Sequence, residues 1–409
     1  MRILLISQWW QPEQAFKGLP FALGLKNRGH EVEVLTGFPN YPGGKLYPGY
    51  SVKPWQRETM AGISILRTAL YPSHDSSGFK RVVNYLSFSF SSFLLAPFFL
   101  KKPDVIYVFN LVTLGPTALL LKVFYRCPLV YDIQDIWPDS VVASGMLRGT
   151  WLFRALNGWC NFLYRYIDSI VVLSPGYKAL LMERNVPENK IEVIYNWDPG
   201  ENELAVSDCG PIHLNPDCFN IIYAGNIGRA QNLETVLLAA DLVRNEYDNV
   251  HFTFIGNGVD VEKLKKMAVD MKLTNVTFLS RMPQAQLKRY LRSSDALLVH
   301  LKNDPIFRSS IPSKTQTCLA AGKPILMGVR GDAAELIRRS EAGLTFEPEN
   351  VASLVDQIKI IAGMKKEELE NMGQNGIGFY KTNLSFQTAL AQFERLFGSF
   401  AKGSLNRGH

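Results

Sequence analysis

The chain has 409 residues, more than one ordinary domain holds, so two domains are expected. Hydrophobic residues make up 47% and charged residues 20%, which excludes an intrinsically disordered chain, and a net charge of +7 points to an anionic partner: nucleotide, nucleic acid or membrane surface. The five cysteines, Cys127, Cys160, Cys209, Cys218 and Cys318, are odd in number and show no two-residue gap of a zinc or thioredoxin-like motif, which fits a reducing compartment.

Met1-Arg2 runs straight into the apolar ILLIS, without the layout of a signal peptide. Arg2–Ser7 reads as a first strand, Trp9–Lys17 as a loop and Gly18–Asn27 as a helix. The loop carries Trp10, Glu13 and Lys17 and ends at Gly18, and its place after the first strand suits it to close over a ligand or receive a second substrate. Exposed tryptophans there would have no structural role. Arg28-Gly29-His30 turns into a second strand, Glu31–Thr36. Tyr85–Leu100 is uncharged and precedes Lys101-Lys102; it is shorter than the roughly 20 residues of a membrane span, so a buried or interfacial helix is expected.

Asp104–Phe109 and Leu129–Tyr131 are further apolar strands, with a helical run, Leu111–Tyr125, between them. Tyr131 opens the stretch YDIQDIWPDS, which sets three carboxylates at a strand end. Asp139 or Ser140 reads as the cap of the next helix, whereas Asp135, with Gln134 beside it, can orient a sugar hydroxyl or take its proton. In Gly149–Tyr166, the residues Leu152, Leu156, Trp159, Leu163 and Tyr166 share a helical face, with Trp151, Phe153 and Phe162 beside it and Arg148, Arg154 and Arg165 accompanying them. That composition suits an interfacial helix and equally a core helix. Ser169–Leu173 and Ile191–Ile194 continue an alternation that implies a parallel sheet covered on both faces.

Asp198–Pro216, rich in turn formers, reads as the interdomain connection. A second alternating half follows, with strands Phe219–Tyr223, His251–Ile255, Val276–Phe278, Ala296–Val299 and Ile325–Met327. Ligands sit at the carboxyl ends of such strands, where three loops stand out. The first holds Gly225, Asn226, Gly228, Arg229, Gln231 and Asn232, glycines that let backbone approach a phosphate and an arginine that adds charge, or else a turn with an Asn helix cap. The second holds Gly256 and Gly258. The third, IPSKTQTCLAAGKPIL, opens a helix with Pro312, Ser313 and Lys314 and ends it at Ala320-Ala321-Gly322; a helix N-terminus attracts a diphosphate, and Arg308 and Lys314 are the nearest cations. Arg281 adds a cation beyond the strand Val276–Phe278. No Asp-x-Asp, His-Glu-x-x-His or Gly-x-Ser-x-Gly motif occurs, and neither first strand is followed by Gly-x-Gly-x-x-Gly.

In order and spacing, QPEQAFKG, RGHEVEVLTGFPNYP, QDIWPDS, VLSPGYKALL, VIYNWD, YAGNIGRAQNLETVL, FIGNG and IPSKTQTCLAAGKPIL resemble a family 4 glycosyltransferase of the GT-B fold over almost the whole chain. The nearest subgroup is the WbuB-type fucosaminyltransferases of bacterial O-antigen and capsule assembly. The resemblance implies an α/β protein of two Rossmann-like, doubly wound parallel-sheet domains facing across a cleft. Residues 1–197 would bind the acceptor, 198–383 the nucleotide sugar, and 384–409 would cross back. It implies a UDP-sugar donor, an N-acetylated deoxy sugar such as L-FucNAc, no cofactor and no metal. It further implies an undecaprenyl-type lipid-diphosphate saccharide acceptor, a cytoplasmic location on the inner face of the membrane, and no nucleic acid. Asn226 and Gln231 stand where many members carry Arg and Lys, Ser309 and Thr317 where two glutamates are common, and Gln134 where a histidine is common. The second of those glutamates usually holds ribose hydroxyls. These departures leave stereochemistry open and admit a weakened scaffold as an alternative; a sugar-nucleotide epimerase is a third reading.

Overall fold

The computed structural model describes residues 1–73, 78–139, 149–201, 211–247 and 249–405. Ser140, Arg148, Cys209 and residues 202–210 of the expected connection lie outside them. The chain divides into two compact units: Met1–Leu173, Tyr177–Ile194 and residues from Leu390 onward in one, Ser174–Gly176 and Tyr195–Ala389 in the other.

In the first unit, β1 (Arg2–Ile6), β2 (Glu31–Gly37), β3 (Trp55–Met60), β4 (Ile63–Thr68), β5 (Val105–Phe109), β6 (Leu129–Ile133), β7 (Ser169–Val172) and β8 (Ile191–Val193) form one sheet in the order β3-β4-β2-β1-β5-β6-β7-β8. Only the β3–β4 pair is antiparallel among the described strands. The strands β5 and β6 are buried at every residue, which is why β5 and Leu129–Tyr131 of β6 read as apolar runs. The order reverses at β1, which pairs with β2 on one side and β5 on the other, so the crevice beyond its carboxyl end is a topological switch.

The β3–β4 hairpin was not expected from the sequence. Its strand β3 alternates between exposed and half-buried residues, and its turn places both Ala61 (φ 50°) and Gly62 (φ 74°) in the left-handed region, as a tight two-residue hairpin requires. The helix expected over Tyr85–Leu100 runs from Gly78 to Phe99, 22 residues, and is long and apolar enough to cross a membrane; the length objection raised from the sequence does not hold.

In the second unit, β9 (Phe219–Ala224), β10 (Val250–Ile255), β11 (Val276–Leu279), β12 (Ala296–His300), β13 (Ile325–Gly328) and β14 (Gly343–Thr345) form an all-parallel sheet in the order β11-β10-β9-β12-β13-β14. Here the switch lies between β9 and β12. The last helix, Phe386–Leu405, brings Phe393 against Phe21 and Tyr107 in the first unit's core, at ring separations of 5.1 and 5.6 Å.

Candidate functional site

In the second unit the loops after β9 and β10 stack on one another. Gly225 N–H donates to Ile255 O, and Ile227 N–H to Asn257 O, both at 2.9 Å. A Cβ on Gly256 (φ 151°) would lie 1.9 Å from Gly225 O, and one on Gly258 would lie 2.0 Å from Ile227 O. Close loop packing therefore already requires both glycines. Beside them opens a pocket of about 340 Å³, lined by Asn257, Glu262, Lys265, Phe278, Leu279 and Ser280, with the exposed Arg281 next in the chain.

Gly225 (φ 141°) faces the third loop: a Cβ there would meet Lys314 Nζ at 3.2 Å. The helix Ser313–Ala321 starts one residue later than expected, with Pro312 just outside it, and ends at Gly322 in the left-handed conformation. Lys314 is therefore in its first turn. Its ammonium lies against Tyr223, 4.1 Å from the ring centre and bonded to the hydroxyl. Among the described residues no carboxylate pairs with it. Loss of hydration pulls its pKa down to about 8. An ammonium that no described carboxylate neutralises, at a helix start and over a glycine, is able to bind an anion.

The remaining donor-side residues divide. Asn226, Arg229 and Arg308 are exposed. Ser313 is exposed at the same helix start as Lys314, and Ser309 is half-buried just before it. Gln231 is turned inward: its Oε1 accepts from Gly228 N–H and Asn226 Nδ2, both at 3.1 Å, so it shapes the loop. Asn232 does not cap the following helix; it adopts φ 41°, and its amide donates to Glu349 at 2.6 Å. Thr317 donates to Asp198 at 2.7 Å. Asp198, buried next to the connection, thus sets a carboxylate against Thr317, a partnership hidden by the 119 positions that separate them.

In the first unit, Asp135 stands beyond β6 and accepts from Asn110 Nδ2 at 3.2 Å; Asn110, in the left-handed conformation (φ 66°) just beyond β5, also accepts from Gln134 N–H at 3.3 Å. Asp135 touches solvent, yet the surrounding chain strips enough water to push its carboxyl above the usual range, with Asn110 opposing. Tyr85 and Tyr177 are raised chiefly by their own burial and further by the charge of Asp135. Trp9 packs edge-on to Tyr85 at 6.1 Å and against Tyr41 at 5.8 Å. A carboxylate beyond the carboxyl end of β6, with Tyr85 and Tyr177 within its field, can meet a hydroxylated ligand.

The expected acceptor loop has other work. Trp10 is fully buried and Trp9 partly so, correcting the expectation of exposed tryptophans. Glu13 is buried and accepts from the backbone N–H groups of Trp10 (3.3 Å), Tyr41 (2.6 Å) and Asn40, so it fastens the loop; burial raises its pKa against those bonds. Gly18 leaves room for the Gln11 side chain, whose Oε1 accepts from Leu19 N–H at 2.8 Å. Lys17 is sealed in an ion pair with Asp132, both side chains fully buried. Tyr107 donates to the same carboxylate at 2.5 Å, and Gln134 donates to its other oxygen. Gln134 therefore steadies Asp132 rather than reaching outward. Asp139 pairs with Arg184. Among the described residues no three His, Cys, Asp or Glu side chains converge as metal ligands would.

Residues 19–197 match the family described as glycosyl transferase 4-like domain, and residues 212–379 the glycosyl transferases group 1. WcaI of Escherichia coli (strain K12), provisionally a colanic acid biosynthesis glycosyl transferase, is 29% identical over 82% of this chain and 85% of its own. WbjE of Pseudomonas aeruginosa, provisionally a glycosyltransferase, is 30% identical over 59% and 62%. Two solved structures share the fold: an E. coli trehalose-6-phosphate structure bound with UDP-2-fluoro glucose (TM-score 0.70, 15% identity, 97% of this chain and 99% of the other) and Anabaena Alr3699/HepE in complex with UDP and glucose (0.64, 15%, 97% and 99%). The chain belongs to the group 1, family 4-type glycosyltransferases of the GT-B fold.

Proposed function

We propose that the protein moves an N-acetylated deoxy sugar, such as L-FucNAc, from a UDP-sugar to an undecaprenyl-type lipid-diphosphate saccharide in bacterial surface polysaccharide synthesis, without a metal, at the cytoplasmic face of the membrane. The observation that carries the donor half is the unpaired Lys314 ammonium at a helix start beside Gly225. There it can neutralise the departing diphosphate, with the exposed Arg229 and Arg308 as further cations and Arg281 beside the pocket. The pocket at Phe278 and Ser280 offers a ring and polar edges to the base. The colanic acid assignment of WcaI supports a polysaccharide pathway, and the UDP bound to HepE supports the nucleotide.

Thermal stabilisation by UDP, GDP, NAD and UDP-N-acetyl sugars in parallel tests the donor. Stabilisation by uridine compounds alone is expected, and transfer to lipid-diphosphate GlcNAc should follow. No response would favour a weakened scaffold, a reading supported by the inward turn of Gln231 and Thr317.

Asp135, whose raised pKa brings it closer to neutrality, takes or orients the acceptor proton in this reading. Asp135→Asn should lower turnover by about a hundredfold or more while leaving the donor dissociation constant nearly unchanged. Loss of donor affinity would move Asp135 out of that role.

A further inference from the structure

The helix Gly78–Phe99 turns its uncharged polar side chains toward the protein. Gln8 donates to Asn84 Oδ1 at 2.5 Å, Asn84 donates to Tyr71 O at 2.7 Å, Ser89 donates to Thr113 O at 2.5 Å, and Ser92 bonds Thr117 at 2.9 Å. Tyr85, Phe88 and Ala96 join them inside, while a second set of apolar side chains faces outward: Phe79, Val82, Leu86, Phe90, Phe93 and Phe98 are exposed, Phe79 and Phe98 by 77% and 81%. Their spacing follows the helical repeat, so they line a single stripe about 30 Å long. The neighbouring helix Gly115–Tyr125 adds exposed Val123 and Phe124, and its Tyr125 hydroxyl donates to Leu100 O at 2.8 Å. An apolar hollow of about 370 Å³, lined by Pro54, Leu70, Phe90, Leu94 and Leu95, continues this surface. So large a patch on one face signals a partner.

Charge identifies the partner. From Gly78 to Lys102 there is no Asp or Glu; Lys80 and Arg81 mark one end of the helix, and exposed Lys101 and Lys102 the other. An apolar stripe between basic ends fits the interface of a bilayer containing anionic lipid. The inner-face bonds decide the orientation. Crossing the bilayer would strip Asn84, Ser89 and Ser92 of their partners in hydrocarbon, so the helix lies flat. We infer that Gly78–Phe99 docks the first unit in the plane of an anionic membrane by its Phe79-to-Phe98 stripe. This rests on the lipid-linked acceptor reading and extends it: Tyr85, on the same helix, packs against Trp9 beside Asp135, so a lipid-borne saccharide need rise only about one helix diameter to reach the site.

The helix Thr150–Tyr166 contributes less. Leu156, Trp159 and Leu163 pack against the core, with Trp159 Nε1 donating to Val112 O at 3.0 Å, which leaves Trp151, Leu152, Phe162 and Tyr166 outside.

Flotation of the full chain with vesicles of phosphatidylethanolamine and about 30% phosphatidylglycerol tests this, with pure phosphatidylcholine as comparison. Wild type should float with the anionic vesicles and be released by alkaline carbonate. Phe90→Asp/Phe98→Asp, at exposed sites, should keep its melting temperature and partition at least about tenfold more weakly. Lys101→Glu/Lys102→Glu should lose binding at low salt. Absence of flotation, equal flotation of the Asp variant, or carbonate resistance would overturn the proposal. So would a lipid-free dimer that the Asp variant abolishes, since that assigns the stripe to a second copy. No sugar nucleotide enters the assay, so its failure is separable from failure of the transferase reading, which the donor-stabilisation experiment reports.

Discussion

Lys314→Ala should weaken UDP-sugar binding by about 1.5–3 kcal/mol, roughly a ten- to 150-fold loss, because a charge-assisted contact to the diphosphate disappears. The pH dependence gives an independent signature. Burial has already pulled the Lys314 ammonium down to about 8, so the cation that attracts the donor is fully present below that pH and is lost above it. Bound diphosphate favours the charged form and draws the pKa back up, so binding above pH 8 takes up a proton. Donor affinity should therefore be flat from pH 6 to 7.5 and fall by up to about tenfold per pH unit beyond 8. Titration calorimetry in two buffers of different ionisation heat measures both quantities, and the alanine variant should lose the slope as well as the affinity. Wild-type affinity in that variant would remove Lys314 from the site.

Lys17→Met should destabilise the protein by about 3–5 kcal/mol, since it strands the Asp132 carboxylate in a dry core. For a unit of this size that corresponds to a fall of roughly 6–20 °C in melting temperature. Burial pulls the Lys17 ammonium below its ordinary value and Asp132 pulls it back, so each member is tolerated only because of the other. The double variant Lys17→Met/Asp132→Asn should recover most of the loss, because no charge remains, the asparagine oxygen still accepts from Tyr107, and its NH2 donates to the Gln134 amide once that side chain is turned. The extra melting temperature conferred by UDP should survive in both variants. A single variant within about 1 kcal/mol of wild type would show that water reaches the pair.

What the sequence made legible follows from periodicity. The buried parallel strands, such as Val105–Phe109 and Ala296–His300, announced themselves because nothing polar interrupts them. The hairpin β3–β4 and the three-residue β14 were silent. The strand β3, WQRETM, pairs through its backbone at the sheet edge, where side-chain polarity carries no strand signal. The glycine loops and the Lys314 helix start were visible as local patterns. The partnerships were not: Thr317 with Asp198, Lys17 with Asp132 and Gln8 with Asn84 join residues 76 to 119 positions apart. Ser89 and Ser92 of the Tyr85–Leu100 stretch lie on its protein side, a distinction that composition cannot draw.

The packing of the last helix on the first unit sets a timetable for synthesis. Lys17 lies 4.9 Å from the centre of the Phe393 ring, and Phe393 also closes over Phe21 and Tyr107. Phe393 is made about 290 residues after the last of those three. At about 5–20 residues per second the core of the first unit, whose last strand ends at Val193, waits roughly 10–40 s for its lid. During that wait an outward-facing apolar helix and an unfinished core are displayed together on the nascent chain. Truncation just before Leu390 should therefore yield an aggregation-prone product rather than a smaller working enzyme, and the newborn chain has reason to meet a chaperone or the bilayer before translation ends.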